Sequence, residues 1–330
     1  MSIVAANDAG AAEVLVPARR AVPAPGRGEL LVEVAAVGIN GPDIMQRKGL
    51  YPAPAGASDL LGLEIAGTVV ALGEGAAGWS VGDRITGLTN GGGYAEYCTI
   101  EARHCLPIPQ GVSLCDAAGL PETFFTVWSN IFMNAKLHGG EKLLVHGGAG
   151  GIGSTAIQLG KAFGATVYAT DSPAARCEFC RSLGADRVID YREEDFVAIV
   201  RKEIGGADVI LDIVGGPYVE KNIKAAAHDA RLVQLAFALG SKVEINLMPI
   251  MLKRLTYTGS TLRTRSAAFK ARVAQELREQ VWPKIAAGQI RVVSEKILPL
   301  SKAAEGHALM ERASHTGKIL LVPDRLLETA

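Results

Sequence analysis

A glycine-rich stretch, VHGGAGGIG at residues 145–153, is the part of the sequence with the clearest chemistry. Gly148, Gly150 and Gly153 fit the pattern G-x-G-x-x-G and fall between a predicted strand and a predicted helix. Glycines at this spacing let the backbone turn tightly and approach a pyrophosphate, while the helix N-terminus supplies free N–H groups. A tight turn without a ligand is the alternative, and the strand–loop–helix context favours the ligand. The stretch therefore predicts a dinucleotide-binding loop at Gly148, Gly150, Gly151, Ile152 and Gly153.

The nature of the dinucleotide depends on Asp171, which ends the apolar stretch ATVYATD. A carboxylate at the end of the second strand of such a domain accepts hydrogen bonds from both ribose hydroxyls of NAD and repels the 2′-phosphate of NADP. Arg176 follows five residues later, and it either pairs with Asp171 or is a solvated helix residue. Local electrostatics therefore favours NADH.

The elements around this loop are predicted from hydrophobic periodicity. Before about residue 123, short alternating strands, the first at 29–38, are separated by Gly and Pro, which predicts a twisted, barrel-like β domain. From about 123 to 262, apolar strands alternate with amphipathic helices, which indicates a parallel sheet covered on both faces. Among these elements are a helix at 218–228 and a strand at 231–237. The segment 266–288 is predicted to be helical, and the chain is predicted to finish on the strand GKILLV at 317–322. We expect this last segment to return to the first domain.

Composition limits the class of protein. The chain has 330 residues, of which 48% are hydrophobic and 21% charged, with a formal net charge of zero. That balance gives no electrostatic basis for binding nucleic acid or an anionic membrane. No secretory signal or apolar run long enough to span a bilayer is visible. Five cysteines in a chain without a signal predict reduced thiols and a cytoplasmic protein.

Several motifs in order resemble the medium-chain dehydrogenase/reductase superfamily. They are VGINGPDIMQRKG (37–49), LGLEIAG (61–67), GGGYAEY (91–97), AGGIG (149–153) and LDIVGG (211–216). Within that superfamily the chain looks most like the zinc-free, zeta-crystallin-like quinone oxidoreductases, and specifically the tumour-suppressor-inducible branch. The resemblance covers roughly residues 25 to 325.

The resemblance implies an α/β fold with two domains. A discontinuous GroES-like β-barrel catalytic domain is expected at 1–122 and 263–330, and a doubly wound Rossmann domain at 123–262. It also implies a homodimer formed through the edge strand TYTGSTL (256–262), and NADPH as the usual cofactor.

No zinc is expected. Where zinc-dependent relatives have a cysteine and a histidine ligand, this chain has Asn40 and Leu63. The lobe of four closely spaced cysteines that holds structural zinc in the superfamily is absent, and the C-x-x-C at Cys177 and Cys180 falls inside a predicted helix. A metal-free site suits a quinone, because hydride addition to a quinone gives a delocalised anion.

The resemblance also implies site residues. Tyr51 matches a tyrosine that lines the substrate cleft, and its alternative role is to cover a Pro-rich loop. Asn40 and Asp43 either order the cleft or cap a short helix. Thr126 and Phe237 match residues near the nicotinamide, and their alternative role is packing in the core. Arg176 and Tyr191 match residues that grip the 2′-phosphate.

Two other functions stay open. The chain can be an NAD(P)H-dependent 2-alkenal or enoyl reductase, which would oxidise the cofactor with enals and not with quinones. It can also be a non-catalytic, crystallin-like protein that binds the dinucleotide without turnover. In each case the expected partner is a small molecule.

Overall fold

A computed structural model describes residues 1–327 of the chain. Its strands are β1 (Ser2–Ala6), β2 (Leu15–Arg19), β3 (Glu29–Gly38), β4 (Glu64–Leu72), β5 (Arg84–Leu88), β6 (Tyr97–Glu101), β7 (Cys105–Pro107), β8 (Lys142–His146), β9 (Thr166–Asp171), β10 (Arg187–Asp190), β11 (Ala207–Asp212), β12 (Ala226–Gln234), β13 (Thr256–Gly259), β14 (Ser294–Pro299) and β15 (Lys318–Val322).

The helices are α1 (Gly41–Arg47), α2 (Leu114–Ala117), α3 (Pro121–Val127), α4 (Gly151–Ala162), α5 (Ala174–Ser182), α6 (Phe196–Ile204), α7 (Tyr218–Ala225), α8 (Met248–Lys253), α9 (Ala267–Glu276), α10 (Trp282–Ala286) and α11 (Ala303–Glu311). Two π-helical segments, Trp128–Asn134 and Leu277–Val281, continue α3 and α9. Within residues 1–327, none of the helices combines the length and apolar character needed to cross a bilayer.

The chain divides into two compact units, the first comprising Met1–Phe125 and the segment from Arg263 onward. This unit contains a seven-stranded sheet with the order β14-β15-β3-β4-β5-β7, in which β6 also pairs with β3. The strands β3, β4 and β5 pair in antiparallel fashion. Their inward side chains, among them Val32, Ile65 and Ile85, form a core that is fully buried. The last strand, β15, pairs with the end of β3, so the C-terminal segment belongs to this unit.

The second unit, Thr126–Leu262, contains a six-stranded parallel sheet with the order β10-β9-β8-β11-β12-β13. Its strands are apolar on both faces, as expected for a parallel sheet covered by helices on each side. From β8 the chain moves first to β9 and β10 and then to β11 on the other side of β8. The strand order therefore reverses at the carboxyl end of β8, where ligands bind in doubly wound sheets.

Some elements differ from the sequence prediction. The predicted helix 218–228 ends at Ala225, and β12 begins at Ala226 and ends at Gln234, although the strand was expected at 231–237. The reason is that the Ala-rich join carries no Gly or Pro that would mark the change from helix to strand. The hairpin of β1 and β2 was not predicted at all. The division between the units falls after Phe125, three residues beyond the expected 122, and inside helix α3.

Candidate functional site

The glycine loop joins the end of β8 to the start of α4. The N–H groups of Gly147 and Gly148 donate to the carbonyl of Thr170 at 3.0 and 3.1 Å, which ties the loop to the neighbouring strand β9. The N–H of Gly150 donates to the carbonyl of Gly147 at 3.2 Å and closes the turn. Helix α4 then begins at Gly151, and the first N–H groups of a helix have no partner within the helix. These groups can receive an anion.

The three glycines of the pattern differ in what a side chain at each position would contact. A Cβ at position 153 would lie 2.1 Å from the carbonyl oxygen of Gly147, so only glycine allows the helix to approach the loop. A Cβ at position 148 would lie 2.8 Å from the sulfur of Cys180, which packs beneath the loop from α5. At position 150 the nearest atom to a Cβ is the oxygen of Gly147 at 3.7 Å, an ordinary contact. The chain itself therefore does not require glycine at 150, which leaves ligand approach as the reason for it.

Asp171 lies against this loop, and both of its carboxylate oxygens accept hydrogen bonds from within the chain. One carboxylate oxygen accepts from the N–H of Ala149 at 2.7 Å, and the other accepts from the N–H of Ser172 at 2.8 Å. Arg176 donates to both oxygens, at 2.7 and 3.3 Å, and only 3% of Asp171 is exposed. The structure shows Arg176 paired with Asp171 and not as a solvated helix residue. The charge of Asp171 is thus compensated inside the chain and holds the loop in place.

A cavity of about 260 Å³ opens beside Tyr191, which is 42% exposed. It is lined by Tyr191, Arg192, Glu193, Glu194, Asp195, Phe196, Tyr218 and Lys221. His146, at the end of β8, packs edge-on against the rings of Phe196 and Tyr218 at 4.9 Å. Burial lowers the pKa of His146, so it is a neutral structural histidine. Of the cavity residues, only Tyr191 was expected from the sequence.

The remaining cofactor candidates lie in the same unit. The carbonyl of Thr126 accepts from the side chain of Asn130 at 2.9 Å. The ring of Phe237 lies over Gly215, where a Cβ would be only 2.6 Å from it. Within residues 1–327, neither Thr126 nor Phe237 makes a hydrogen bond to the glycine loop.

In the first unit, Asn40 and Asp43 stand at the start of α1. The carboxylate of Asp43 accepts from the N–H of Asn40 at 2.9 Å and from the N–H of Gly62 at 2.9 Å. The first of these bonds is the reciprocal half of a capping box. Burial raises the pKa of Asp43 to about 7 against the opposing effect of these two bonds. Asp43 therefore caps the helix and ties it to the loop before β4.

The side chain of Asn40 belongs to a buried ionic network that sequence reasoning missed. Lys318, from the last strand, donates to the amide oxygen of Asn40 at 2.6 Å and lies 2.6 Å from Glu64. The amide nitrogen of Asn40 donates to the same oxygen of Glu64 at 2.8 Å. The other oxygen of Glu64 accepts from the N–H of Glu122 at 2.8 Å. We call Asn40, Glu64 and Lys318 the buried network, and all three are at most 5% exposed.

The buried network does not fit a catalytic zinc ion. Zinc is held by thiolates, imidazoles and carboxylates, whereas this network offers an amide, one carboxylate and an ammonium group. The ammonium already neutralises the carboxylate and would repel a divalent cation. Among residues 1–327, no group of three or more His, Cys, Asp or Glu side chains is placed to hold a metal.

Tyr51 belongs to a second group of polar residues in the same unit. The guanidinium of Arg263 lies 5.6 Å from the centre of the Tyr51 ring and donates to Asn90 and Gln46. Lys270, from α9, donates to the side chain of Asn90 at 2.6 Å. Burial lowers the pKa of Lys270 to about 8 and raises the pKa of Tyr51. The contact with the Arg263 guanidinium therefore holds the ring of Tyr51 in place.

Two known sequence families match the chain. Residues 26–110 match the alcohol dehydrogenase GroES-like domain, and residues 151–279 match the zinc-binding dehydrogenase family. Human quinone oxidoreductase is 28% identical over 308 residues, which are 92% of this chain and 91% of that protein. A mycocerosic acid synthase-like polyketide synthase of Mycobacterium tuberculosis is 31% identical over 300 residues. This match covers 90% of the chain but only 14% of the length of the synthase.

Solved structures share the whole fold. Escherichia coli quinone oxidoreductase complexed with NADPH superimposes with a TM-score of 0.88 at 28% identity, over 98% of this chain and 100% of that one. The CurK enoyl reductase superimposes with a TM-score of 0.85 at 27% identity, over 98% of this chain and 99% of that one. The expected fold class, a GroES-like domain with a Rossmann parallel sheet, is confirmed. These matches support placing the chain in the medium-chain dehydrogenase/reductase superfamily.

Proposed function

We propose that this chain is a zinc-independent NAD(P)H:quinone oxidoreductase of the branch that resembles the tumour-suppressor-inducible enzyme. When bound, the nicotinamide supplies a hydride. The protein binds the dinucleotide at the glycine loop, orients the acceptor and provides a hydrogen-bond donor to its oxygen. The similarity to human and E. coli quinone oxidoreductases supports this choice.

The observation that carries the proposal is the buried network. Reducing a simple ketone develops a localised alkoxide, which benefits from a Lewis acid. Here Asn40 stands where zinc-dependent relatives have a cysteine ligand, and its amide oxygen accepts a hydrogen bond from Lys318. A quinone delocalises the charge that the hydride delivers, so one donated hydrogen bond from a residue such as Tyr51 is sufficient.

A panel assay tests the proposal. Oxidation of NADH and NADPH is followed with 9,10-phenanthrenequinone, 1,4-benzoquinone and 2-alkenals. We expect turnover with the quinones. Turnover with 2-alkenals alone would replace the proposal by an enal reductase. Tight cofactor binding with no substrate-dependent oxidation would replace it by a non-catalytic binding protein.

The enal or enoyl reductase is the second candidate. The similarity to the CurK enoyl reductase and to a segment of a polyketide synthase favours it. Hydride addition to the β carbon of an unsaturated carbonyl gives an enolate, which needs a hydrogen-bond donor and a proton. The same metal-free residues would serve this chemistry.

For the cofactor, we propose binding of either nicotinamide dinucleotide, with NADPH suggested by the family and NADH by Asp171. The compensation of Asp171 by Arg176 weakens the repulsion that a free carboxylate would exert on a 2′-phosphate. The cavity beside Tyr191 carries Arg192 and Lys221 but also Glu193, Glu194 and Asp195, so its lining has no net positive charge to attract that phosphate.

We also propose a homodimer through the edge of the parallel sheet. Strand β13 is the last strand in the sheet order, so one side of it has no partner strand within residues 1–327. Large apolar side chains are exposed around it over residues 237–257. They are Phe237, Leu239, Val243, Leu247, Met248, Met251, Leu252 and Tyr257. An exposed apolar surface beside an open strand edge is typical of a subunit interface.

A further inference from the structure

The polar residues around the buried network and Arg263 are nearly all satisfied by hydrogen bonds. The side-chain oxygens of Asn40, Asp43 and Glu64 accept hydrogen bonds within the chain. The side chains of Arg263 and Lys270 donate hydrogen bonds within the chain. Within residues 1–327, the exceptions are the hydroxyl of Tyr51 and the carboxyl of Glu122, whose side chains make no hydrogen bond. Both residues are partly exposed, so both groups can meet a ligand.

Glu122 is held in place by its backbone. It is in the first turn of α3, and its N–H is fixed by the buried carboxylate of Glu64, which is itself paired with Lys318. The backbone is therefore anchored while the carboxyl group stays available. The charged and titratable groups that act on this carboxyl come from several elements. They are Glu64, Asp43, Lys318, Lys270, Arg263 and Tyr51.

We infer that Glu122 is the acid that supplies the proton to the substrate once hydride has been added. The inference rests on the proposed function. A reduced nicotinamide delivers two electrons and one proton as hydride to a carbonyl-conjugated acceptor, which becomes an anion. The O–H bond of the Glu122 carboxyl then breaks, and the proton forms a bond to oxygen in a hydroquinone or to the α carbon in a saturated carbonyl. The carboxylate recovers its proton from water.

The environment of Glu122 keeps the acid form available at neutral pH. Burial raises its pKa to about 8, the charge of Glu64 adds to the rise, and Lys318 opposes it. Below pH 8 the group is therefore protonated and can donate, and above pH 8 it is a carboxylate and cannot. A pKa close to the working pH is what general acid catalysis requires. Tyr51 interacts electrostatically with Glu122, so the two groups lie near each other in this unit.

The test compares the wild-type chain with Glu122→Gln, which keeps the shape of the side chain but cannot donate an acid proton. Glu122→Asp retains an acid, and Glu305→Gln removes an exposed carboxyl elsewhere as the matched control. The measurements are kcat from pH 6 to 10 with a quinone and a 2-alkenal, the cofactor Kd, and the infrared band of a protonated carboxylic acid in the cofactor-free chain.

We expect Glu122→Gln to lower kcat at least tenfold, to abolish the loss of activity above pH 8 and to leave the cofactor Kd within twofold. The infrared band of protonated carboxylic acid at pH 7 should be weaker in this variant than in the wild type, because the contribution of Glu122 is lost while that of Asp43, whose pKa burial raises to about 7, remains. Partial activity in Glu122→Asp would support the acid role. Wild-type kcat and pH profile in Glu122→Gln would overturn the inference, and so would an unchanged infrared band. If the wild-type chain reduces no acceptor at all, the proposed function fails instead, while the infrared band still reports whether Glu122 holds a proton.

Discussion

The hydroxyl of Tyr51 makes no hydrogen bond within residues 1–327, and its ring lies against the guanidinium of Arg263. The effect of this hydroxyl on catalysis can therefore be tested by removing its single oxygen atom. We predict that Tyr51→Phe lowers kcat about tenfold, equivalent to about 1.4 kcal/mol, because a donor to the developing charge is lost. Steady-state kinetics and cofactor titration measure this. Tyr97→Phe, which removes a hydroxyl bonded to Glu33, is the control. Wild-type kinetics in Tyr51→Phe would leave Tyr51 as a lining residue only.

Asp171 and Arg176 form a pair whose two halves should affect cofactor choice in opposite directions. Asp171→Ala removes a negative charge and releases Arg176, so kcat/KM should shift several-fold toward NADPH. Arg176→Ala leaves the carboxylate uncompensated and should shift the ratio toward NADH. Like-charge repulsion at about 4–5 Å amounts to about 1–4 kcal/mol, depending on solvent screening.

The measurement is the ratio of kcat/KM for the two cofactors in each variant. Asp171→Asn is the matched control, because it keeps an acceptor for the N–H of Ala149 and removes only the charge. If none of these substitutions changes the ratio, Asp171 does not act on the ribose, and its role is limited to holding the glycine loop.

At the scale of elements, substitutions in the glycine loop distinguish effects on cofactor binding from effects on folding. Gly150→Val should abolish cofactor binding with a nearly unchanged Tm, because position 150 has room within the chain for a side chain. Gly153→Ala should lower the Tm, because its Cβ would collide with the carbonyl of Gly147. Calorimetry and cofactor titration check both. A folded Gly150→Val variant with wild-type affinity would contradict the assignment of the loop.

Sequence periodicity predicted the elements best where packing is local. The strand expected at 29–38 is β3 to the residue, because its apolar pattern is bounded by turn residues. The helix expected at 266–288 is present but consists of α9, a π-helical segment and α10, since a proline follows Trp282. The start of β12 was placed five residues too late, because alanine is the strongest helix former and the Ala-rich join carries no Gly or Pro to mark the end of the helix.

The site was predicted less completely than the fold, for a physical reason. The glycine loop and Asp171 lie within one βαβ unit, so their proximity follows from the local pattern. Asn40 and Lys318 are 278 residues apart in sequence and meet only because β15 pairs with β3. A lysine at the start of an apolar strand is the only sequence signal of that contact. Glu122 likewise depends on a fold contact, between its N–H and Glu64.

At the scale of the whole molecule, we predict that the purified chain contains no stoichiometric zinc. The reason is that the ammonium of Lys318 already compensates Glu64 in the buried network. Elemental analysis and assays with a chelator measure this. Stoichiometric zinc together with loss of activity on chelation would contradict the zinc-independent proposal.

The proposed dimer makes a second prediction at this scale. Met251→Glu combined with Leu252→Glu should give a monomer, because these side chains are 69% and 58% exposed in the isolated chain and their burial would become unfavourable. Light scattering after size-exclusion chromatography measures the mass. Val81→Glu, which changes an apolar side chain 61% exposed in the other unit, should leave the mass unchanged. A wild-type monomer would contradict the dimer.

The return of β15 to the first unit also affects the order in which the protein is made. The second unit is continuous in sequence from Thr126 to Leu262, so a ribosome releases all of it before the first unit is complete. Strand β3 is translated early, but its pairing with β15 can form only after β15 has been translated. Until then Asn40 and Glu64 lack the cation that Lys318 supplies. Domains generally fold as units during synthesis, so the nucleotide-binding unit should fold on the nascent chain first. The buried network would therefore be complete only after Lys318 has been translated.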